Sequence, residues 1–126
     1  MPVIGIGVDA VDVSRFRNAL ERRPGIVKRL FTDAEREYAK RGADPAQRFA
    51  ARFAAKEAVM KAMGVGIGGA RFAAIEVVRG SGGEPELSLH DDAAALAGRL
   101  GVDRWHLSLT HTSDLAVANV VAEGGR

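Results

Sequence analysis

The segment from Pro45 to Met63 constrains the fold of this chain most. It is rich in alanine, has no internal glycine or proline, opens on Asp44-Pro45 and meets Gly64 at its end. Aspartate caps a helix, proline suits the first helical position, and glycine ends one, so a single long helix is predicted here. Phe49, Phe53 and Glu57 recur every four residues and therefore share nearly one face. A carboxylate aligned with phenylalanines is at least partly buried, and it then needs a cation or hydrogen-bond donors to offset its lost hydration.

The other elements must pack around that helix. Val3 to Val8 reads as a strand broken by Gly5 and Gly7 that delivers Asp9 at its end. Asp12 or Ser14 caps a helix with the apolar stripe Val13, Phe16 and Leu20, interrupted by Pro24-Gly25 and resumed over Ile26 to Phe31. Thr32-Asp33-Ala34-Glu35 matches a capping box for a helix to about Lys40, stopping near Gly42. Beyond the glycine-rich stretch Gly64–Gly69, Ala73–Arg79 and Glu86–His90 flank Gly80-Ser81-Gly82-Gly83 as a hairpin. Asp91 caps a short helix ending near Gly101, and Arg104–Leu109 and Leu115–Ala122 are two further strands joined by a polar loop. No repeat or linker divides residues 1–126, so the reading is a single α+β domain, a small and largely antiparallel sheet packed with one long central helix and shorter helices.

Composition narrows the chemistry. The chain has no cysteine, which excludes disulfides, cysteine-ligated zinc and thiol catalysis, and suits a reducing compartment. No stretch approaches the ~20 apolar residues of a membrane span, and the N-terminus lacks the pattern of a signal peptide, so a cytoplasmic protein without membrane attachment is expected. Net charge is only +2, but Arg15, Arg17, Arg22, Arg23, Lys28 and Arg29 face the single acid Glu21 in one segment. Such a surplus favours an acidic partner. Nucleic acid is the weaker reading, because the one aromatic there, Phe16, lies on the apolar stripe and leaves no stacking platform among the arginines.

Asp9 and Glu57 are the carboxylates placed where ordinary packing would not put them. Magnesium takes one or two carboxylates and completes its octahedron with water and substrate phosphates. Lys61 stands four residues beyond Glu57, close enough on one helix face for an ion pair, which alone would be surface decoration. Gly64 and Gly66 lie in a stretch whose backbone amides can approach phosphate, although its spacing fits neither a Walker loop nor a dinucleotide fingerprint. His111 is expected in the loop between the last two strands, and His90 and His106 on strand surfaces; no histidine pair has metal-ligand spacing.

Three segments in this order, Gly5-Ile-Gly7-Val-Asp9, Arg52-Phe-Ala-Ala-Lys-Glu57-Ala-Val-Met-Lys61-Ala and Ser108-Leu-Thr-His111-Thr, closely resemble the holo-[acyl-carrier-protein] synthases, small phosphopantetheinyl transferases of lipid synthesis. The resemblance spans essentially the whole chain. It implies the 4′-phosphopantetheinyl transferase fold and transfer of 4′-phosphopantetheine from coenzyme A to a serine of apo acyl carrier protein, releasing adenosine 3′,5′-bisphosphate and serving fatty acid or polyketide synthesis. It further implies magnesium on Asp9 and Glu57, Lys61 at the pyrophosphate, Pro85 and His111 at coenzyme A, and a homotrimer with sites between subunits. Gly64 and Gly66, following Lys61, are added at coenzyme A, and Arg15 and Arg22, seven residues apart on one helix face of the basic segment, are assigned to the acidic carrier protein. Gly83-Glu84-Pro85 looks like the family's Gly-Lys-Pro turn with Glu84 in the lysine's place, and Val11 stands where larger relatives carry a further carboxylate.

Overall fold

The computed structural model describes residues 1–125. In chain order the elements are β1 (Val3–Asp12), α1 (Val13–Arg22), α2 (Ile26–Leu30), α3 (Asp33–Lys40), α4 (Pro45–Ala62), a 3₁₀ turn (Phe72–Ala74), β2 (Ile75–Arg79), β3 (Pro85–Leu89), α5 (Asp91–Leu100), β4 (Val102–His111) and β5 (Leu115–Gly124). The strands form a three-stranded antiparallel sheet, β1-β5-β4, and a separate antiparallel hairpin, β2-β3. The class is α+β as expected, but the sheet is divided in two. Among the described residues no helix is long and apolar enough to cross a membrane.

Helix α4 is the axis of the molecule, lying against β1 and β5. Alanines on several of its sides, Ala50, Ala54, Ala55 and Ala58, have no exposure, because small side chains let neighbouring backbones close in. β1 uses that closeness. A Cβ at Gly5 would stand 1.7 Å from the Ala62 carbonyl oxygen, and one at Gly7 1.8 Å from that of Ala58, so only glycine fits at either position. Residues two apart share a strand face, so Gly5, Gly7, Asp9 and Val11 all point toward the helix. Val11 packs into the core there.

Val59, Met60, Ile75 and Val120 fill the centre, and Phe31 and Phe49 anchor a second cluster with ring centroids 4.7 Å apart. Asp12 caps α1, accepting from the Arg15 amide at 2.9 Å, and Val13 is buried with Phe16 and Leu20 on the inner side, as the stripe requires. Thr32 and Glu35 form the expected capping box.

Several boundaries differ from expectation. β1 continues to Asp12, with Asp9 paired opposite Ala118, so Asp9 lies within the strand and not at its end; the β5 partner strand carries the ladder three residues further. His111 closes β4 opposite Ala116 and does not sit in the loop. His90, not Asp91, occupies the cap position of α5; Asp91 is its first residue, at φ 47°, and His90 bonds Glu76 at 2.9 Å. His106 lies on the sheet surface, as expected.

The face of the three-stranded sheet turned away from α4 is uncovered. Cross-strand rows there read Ile6–Val121–His106, Val8–Asn119–Ser108 and Ala10–Val117–Thr110. Ile6 is 66% exposed and Val8 49%.

Candidate active site

The glycine contact between β1 and α4 sets the site. Glu57 and Lys61 each precede one of the alanines on which Gly7 and Gly5 rest, so Asp9, next on the same strand face, arrives beside them. Lys61 Nζ donates to Asp9 Oδ1 at 2.9 Å and to the Val8 carbonyl at 3.0 Å. Its partner is therefore across the strand, and the i,i+4 pair with Glu57 is at most a secondary interaction. Burial pushes the Glu57 carboxyl up to about 8, helped by its hydrogen bond to Asp9 and by that residue's charge, while Lys61 opposes the shift. The hydrogen bond to Asp9 raises Lys61, whose side chain is 47% exposed. Two adjacent carboxylates that resist being ionised together call for added positive charge, and a half-exposed ammonium already leans on one of them.

The donor set fits a hard divalent cation. Both ligands are carboxylate oxygens, and Val11 on the same strand face is packed into the core and offers no third. Among the described residues no group of three histidine, cysteine, aspartate or glutamate side chains forms a metal cluster. Two carboxylates alone suit magnesium, which completes its shell with water and phosphate oxygens, better than a metal that needs a full protein cage. Gly64, at φ 74°, ends α4 in the left-handed conformation that glycine adopts freely. A side chain on Gly64 or Gly66 would meet nothing within 4 Å, so packing does not demand glycine at Gly66.

Pro85 and His111 lie elsewhere, in a cleft of about 470 Å³. Three arginines stand around one ring there: the guanidinium carbons of Arg48, Arg52 and Arg79 lie 4.0, 4.2 and 5.2 Å from the Tyr38 centroid. Arg48 Nη1 also donates to the Tyr38 carbonyl at 2.7 Å, and Arg79 Nη1 to its hydroxyl at 3.2 Å. Arg52 is 6% exposed, burial lowers its pKa, and its Nε has no hydrogen-bond partner among the described residues. A buried guanidinium with a free N–H beside two more cations is suited to an oxyanion. Glu84 does not line this cleft; its carboxylate folds back over the glycine turn, where a Cβ at Gly80 would lie 2.2 Å from Oε1. Arg79, paired with Pro85 across the hairpin, brings the positive charge instead.

The sequence reading assigned no role to Tyr38, Arg48, Arg52 or Arg79. The available signal was the i,i+4 spacing of Arg48 and Arg52, which puts both on one face of α4; Glu57, five residues past Arg52, is turned roughly 140° away. Tyr38 and Arg79 come from α3 and β2, and only the fold brings them in.

Arg15 and Arg22 are both exposed and line one groove along α1 with Asn18 and Ala19. Its other wall is Ala10, Val11 and Asp12, the residues that directly follow Asp9. Arg17 is already engaged, with Nη2 2.6 Å from Asp44 Oδ2. The described residues thus offer three candidate sites: a carboxylate–lysine corner, a basic groove adjoining it, and a separate cationic cleft.

Comparison with known proteins decides the family. Residues 5–119 match the 4′-phosphopantetheinyl transferase superfamily. The holo-[acyl-carrier-protein] synthase of Frankia casuarinae is 53% identical over 98% of this chain and 99% of its own length. This chain is a member of the holo-[acyl-carrier-protein] synthase family. The synthase of Neisseria meningitidis has the same fold, with a TM-score of 0.89 and 32% identity over 97% of this chain and 99% of that one. That of Bacillus anthracis, solved in complex with CoA (3′,5′-ADP), superposes with a TM-score of 0.79 and 34% identity over 98% of each chain. As a member of this family the chain is a phosphopantetheinyl transferase.

Proposed function

We propose that this chain transfers 4′-phosphopantetheine from coenzyme A to a serine of an acyl carrier protein, with magnesium held by Asp9 and Glu57. The convergence of Asp9, Glu57 and Lys61 at the α4–β1 contact, with Glu57 held up to about 8, carries the reading of the site. The serine oxygen attacks the phosphorus that bears pantetheine; the bond to the adenosine-side phosphate breaks, adenosine 3′,5′-bisphosphate leaves, and the serine proton is released. When bound, magnesium neutralises the pyrophosphate and steadies the leaving phosphate. Lys61, half-exposed and hydrogen-bonded to Asp9 and the Val8 carbonyl, would supply positive charge to the leaving phosphate. Gly64 and Gly66 leave the backbone beside Lys61 open to the pantetheine phosphate.

The nucleotide goes to the cationic cleft. Arg52, with its unpartnered Nε, receives a phosphate together with Arg48 and Arg79, while Pro85 and His111 border the base and sugar. That cleft lies on a different side of α4 from Asp9 and Glu57 of the same chain, so one coenzyme A reaches both only between two copies. The uncovered sheet face, with Ile6 and Val8 exposed on its β1 edge, supports such an assembly, and we assign a homotrimer. Arg15 and Arg22 line the groove that adjoins Asp9 and receive the acidic carrier protein. The reaction is placed in the cytoplasm, and neither nucleic acid nor a membrane has a part in it.

Intact-mass analysis tests this reading. An apo carrier protein incubated with the chain, coenzyme A and magnesium gains one phosphopantetheine; no gain, or the same gain with chelator in place of magnesium, contradicts it.

A further inference from the structure

Lys56 and Glu35 are buried charges that take no part in the chemistry above; both side chains are 0% exposed. Lys56 Nζ donates to Glu35 Oε1 at 2.8 Å, to the Phe72 carbonyl at 2.9 Å and to the Ile75 carbonyl, using all three of its protons. Glu35 Oε1 also accepts from the Thr32 amide at 3.0 Å, and Oε2 from the Val77 amide at 2.8 Å. The knot fastens α4 to α3, to the 3₁₀ turn and to β2.

A buried ion pair is a poor source of stability, since apolar residues of similar size often serve as well. Its directional hydrogen bonds instead fix geometry. Lys56 immediately precedes Glu57, and elsewhere on the helix Gly5 and Gly7 of β1 rest on α4 backbone without clearance. The helix is thus held at two places around its circumference. A slip of one residue moves Glu57 by about 1.5 Å along the axis and about 100° around it, away from Asp9.

We propose that the Lys56–Glu35 pair is a positioning device that holds Glu57 against Asp9, so that the two carboxylates present one divalent-cation site. This rests on the reading of Asp9 and Glu57 as magnesium ligands. The test is the double variant Lys56→Met/Glu35→Leu, which removes both charges and leaves neither unpaired. Thermal unfolding, kcat, the KM for carrier protein and the magnesium concentration for half-maximal rate are measured together. The expected result is a lowered but still cooperative melting transition, because the Phe72 and Ile75 carbonyls and the Thr32 and Val77 amides lose their partners. With it come an unchanged carrier-protein KM, kcat about tenfold lower and half-saturating magnesium about tenfold higher, the scale of losing an outer-shell partner. Wild-type kcat and magnesium dependence in the folded double variant would overturn the proposal. If the double variant does not fold, Glu35→Gln decides, because it leaves Lys56 an acceptor: raised half-saturating magnesium supports the proposal, and wild-type magnesium dependence overturns it. If neither folds, the pair is a structural requirement and the proposal falls. Full turnover by Glu57→Ala would sink the magnesium reading itself, a result separate from any of these.

Discussion

The two halves of α4 do opposite electrostatic work. Toward its C-terminus, Glu57 joins Asp9 of β1 in a corner where carboxylates crowd and a cation is wanted. Toward its N-terminus, Arg48 and Arg52 gather with Arg79 around Tyr38, and an anion is wanted. The acidic corner is built by backbone proximity, since glycines of β1 rest directly on alanines of α4. The cationic cleft is built by long side chains from two elements gathered around a ring from a third. On the proposed function, a substrate with a pyrophosphate in its middle and a phosphorylated nucleoside at one end would satisfy both.

Removing the acidic corner should have the largest effect. Asp9→Ala and Glu57→Ala are each expected to abolish turnover while the chain stays folded, because two protein ligands are already few for magnesium. Circular dichroism checks the fold, and wild-type rates at saturating coenzyme A without extra metal would remove the metal assignment.

Lys61→Met comes next. It should lower the chemical rate by about 10²–10³, the scale of losing a charge contact made in the transition state, while carrier-protein binding persists. A change confined to the KM for coenzyme A would make Lys61 a uniform binding group.

The pH dependence of the corner is expected to be about tenfold per unit. Magnesium binds the ionised carboxylates, so at pH below about 8 it must displace the proton on Glu57, and its apparent affinity should rise roughly tenfold per pH unit up to that point. Metal-free stability runs the other way. A carboxyl raised when folded contributes stability that is fully present below its ordinary value of 4.5 and is lost as pH rises through about 8. Magnesium titrations between pH 6 and 9 check the first sign and denaturant unfolding in chelator the second, and a flat magnesium affinity over that range contradicts the shared-proton picture.

The smallest effect belongs to the basic groove. Arg15→Glu/Arg22→Glu should reduce the rate several-fold at low carrier-protein concentration and leave magnesium and coenzyme A affinity unchanged. Added salt should slow the wild type more than the variant. An unchanged rate at low salt would make the segment a solvated face.

What the sequence disclosed follows from the range of the interactions. α4, the capping box at Thr32–Glu35 and the Val13–Phe16–Leu20 stripe are local patterns, and they stand where periodicity and capping put them. Asp9 and Glu57 were singled out as misplaced carboxylates, and they do meet. The end of β1 was misjudged because β5 pairs with it through Asp12, a long-range partner invisible in Val3–Val8. Helical spacing offered Glu57 as the only visible acid for Lys61, while its hydrogen-bonded acid comes from a strand fifty-two positions away. No local pattern marks Lys56 and Glu35 as a buried pair, because burial of a paired lysine depends on tertiary packing. The Tyr38 cleft was missed for the same reason.

The central claim is that the acidic corner of one copy and the cationic cleft of another act on one coenzyme A. Two variants, Asp9→Ala and Arg52→Glu, each damage a different half and should each be nearly inactive at low coenzyme A. Co-expressed and purified together, they should recover about a quarter of the wild-type rate, the fraction of contacts that pair an intact corner with an intact cleft when copies assemble at random. Recovery in the mixed assemblies supports the claim. A mixed sample no more active than its two components, with mixed assemblies confirmed by native mass spectrometry, would contradict it.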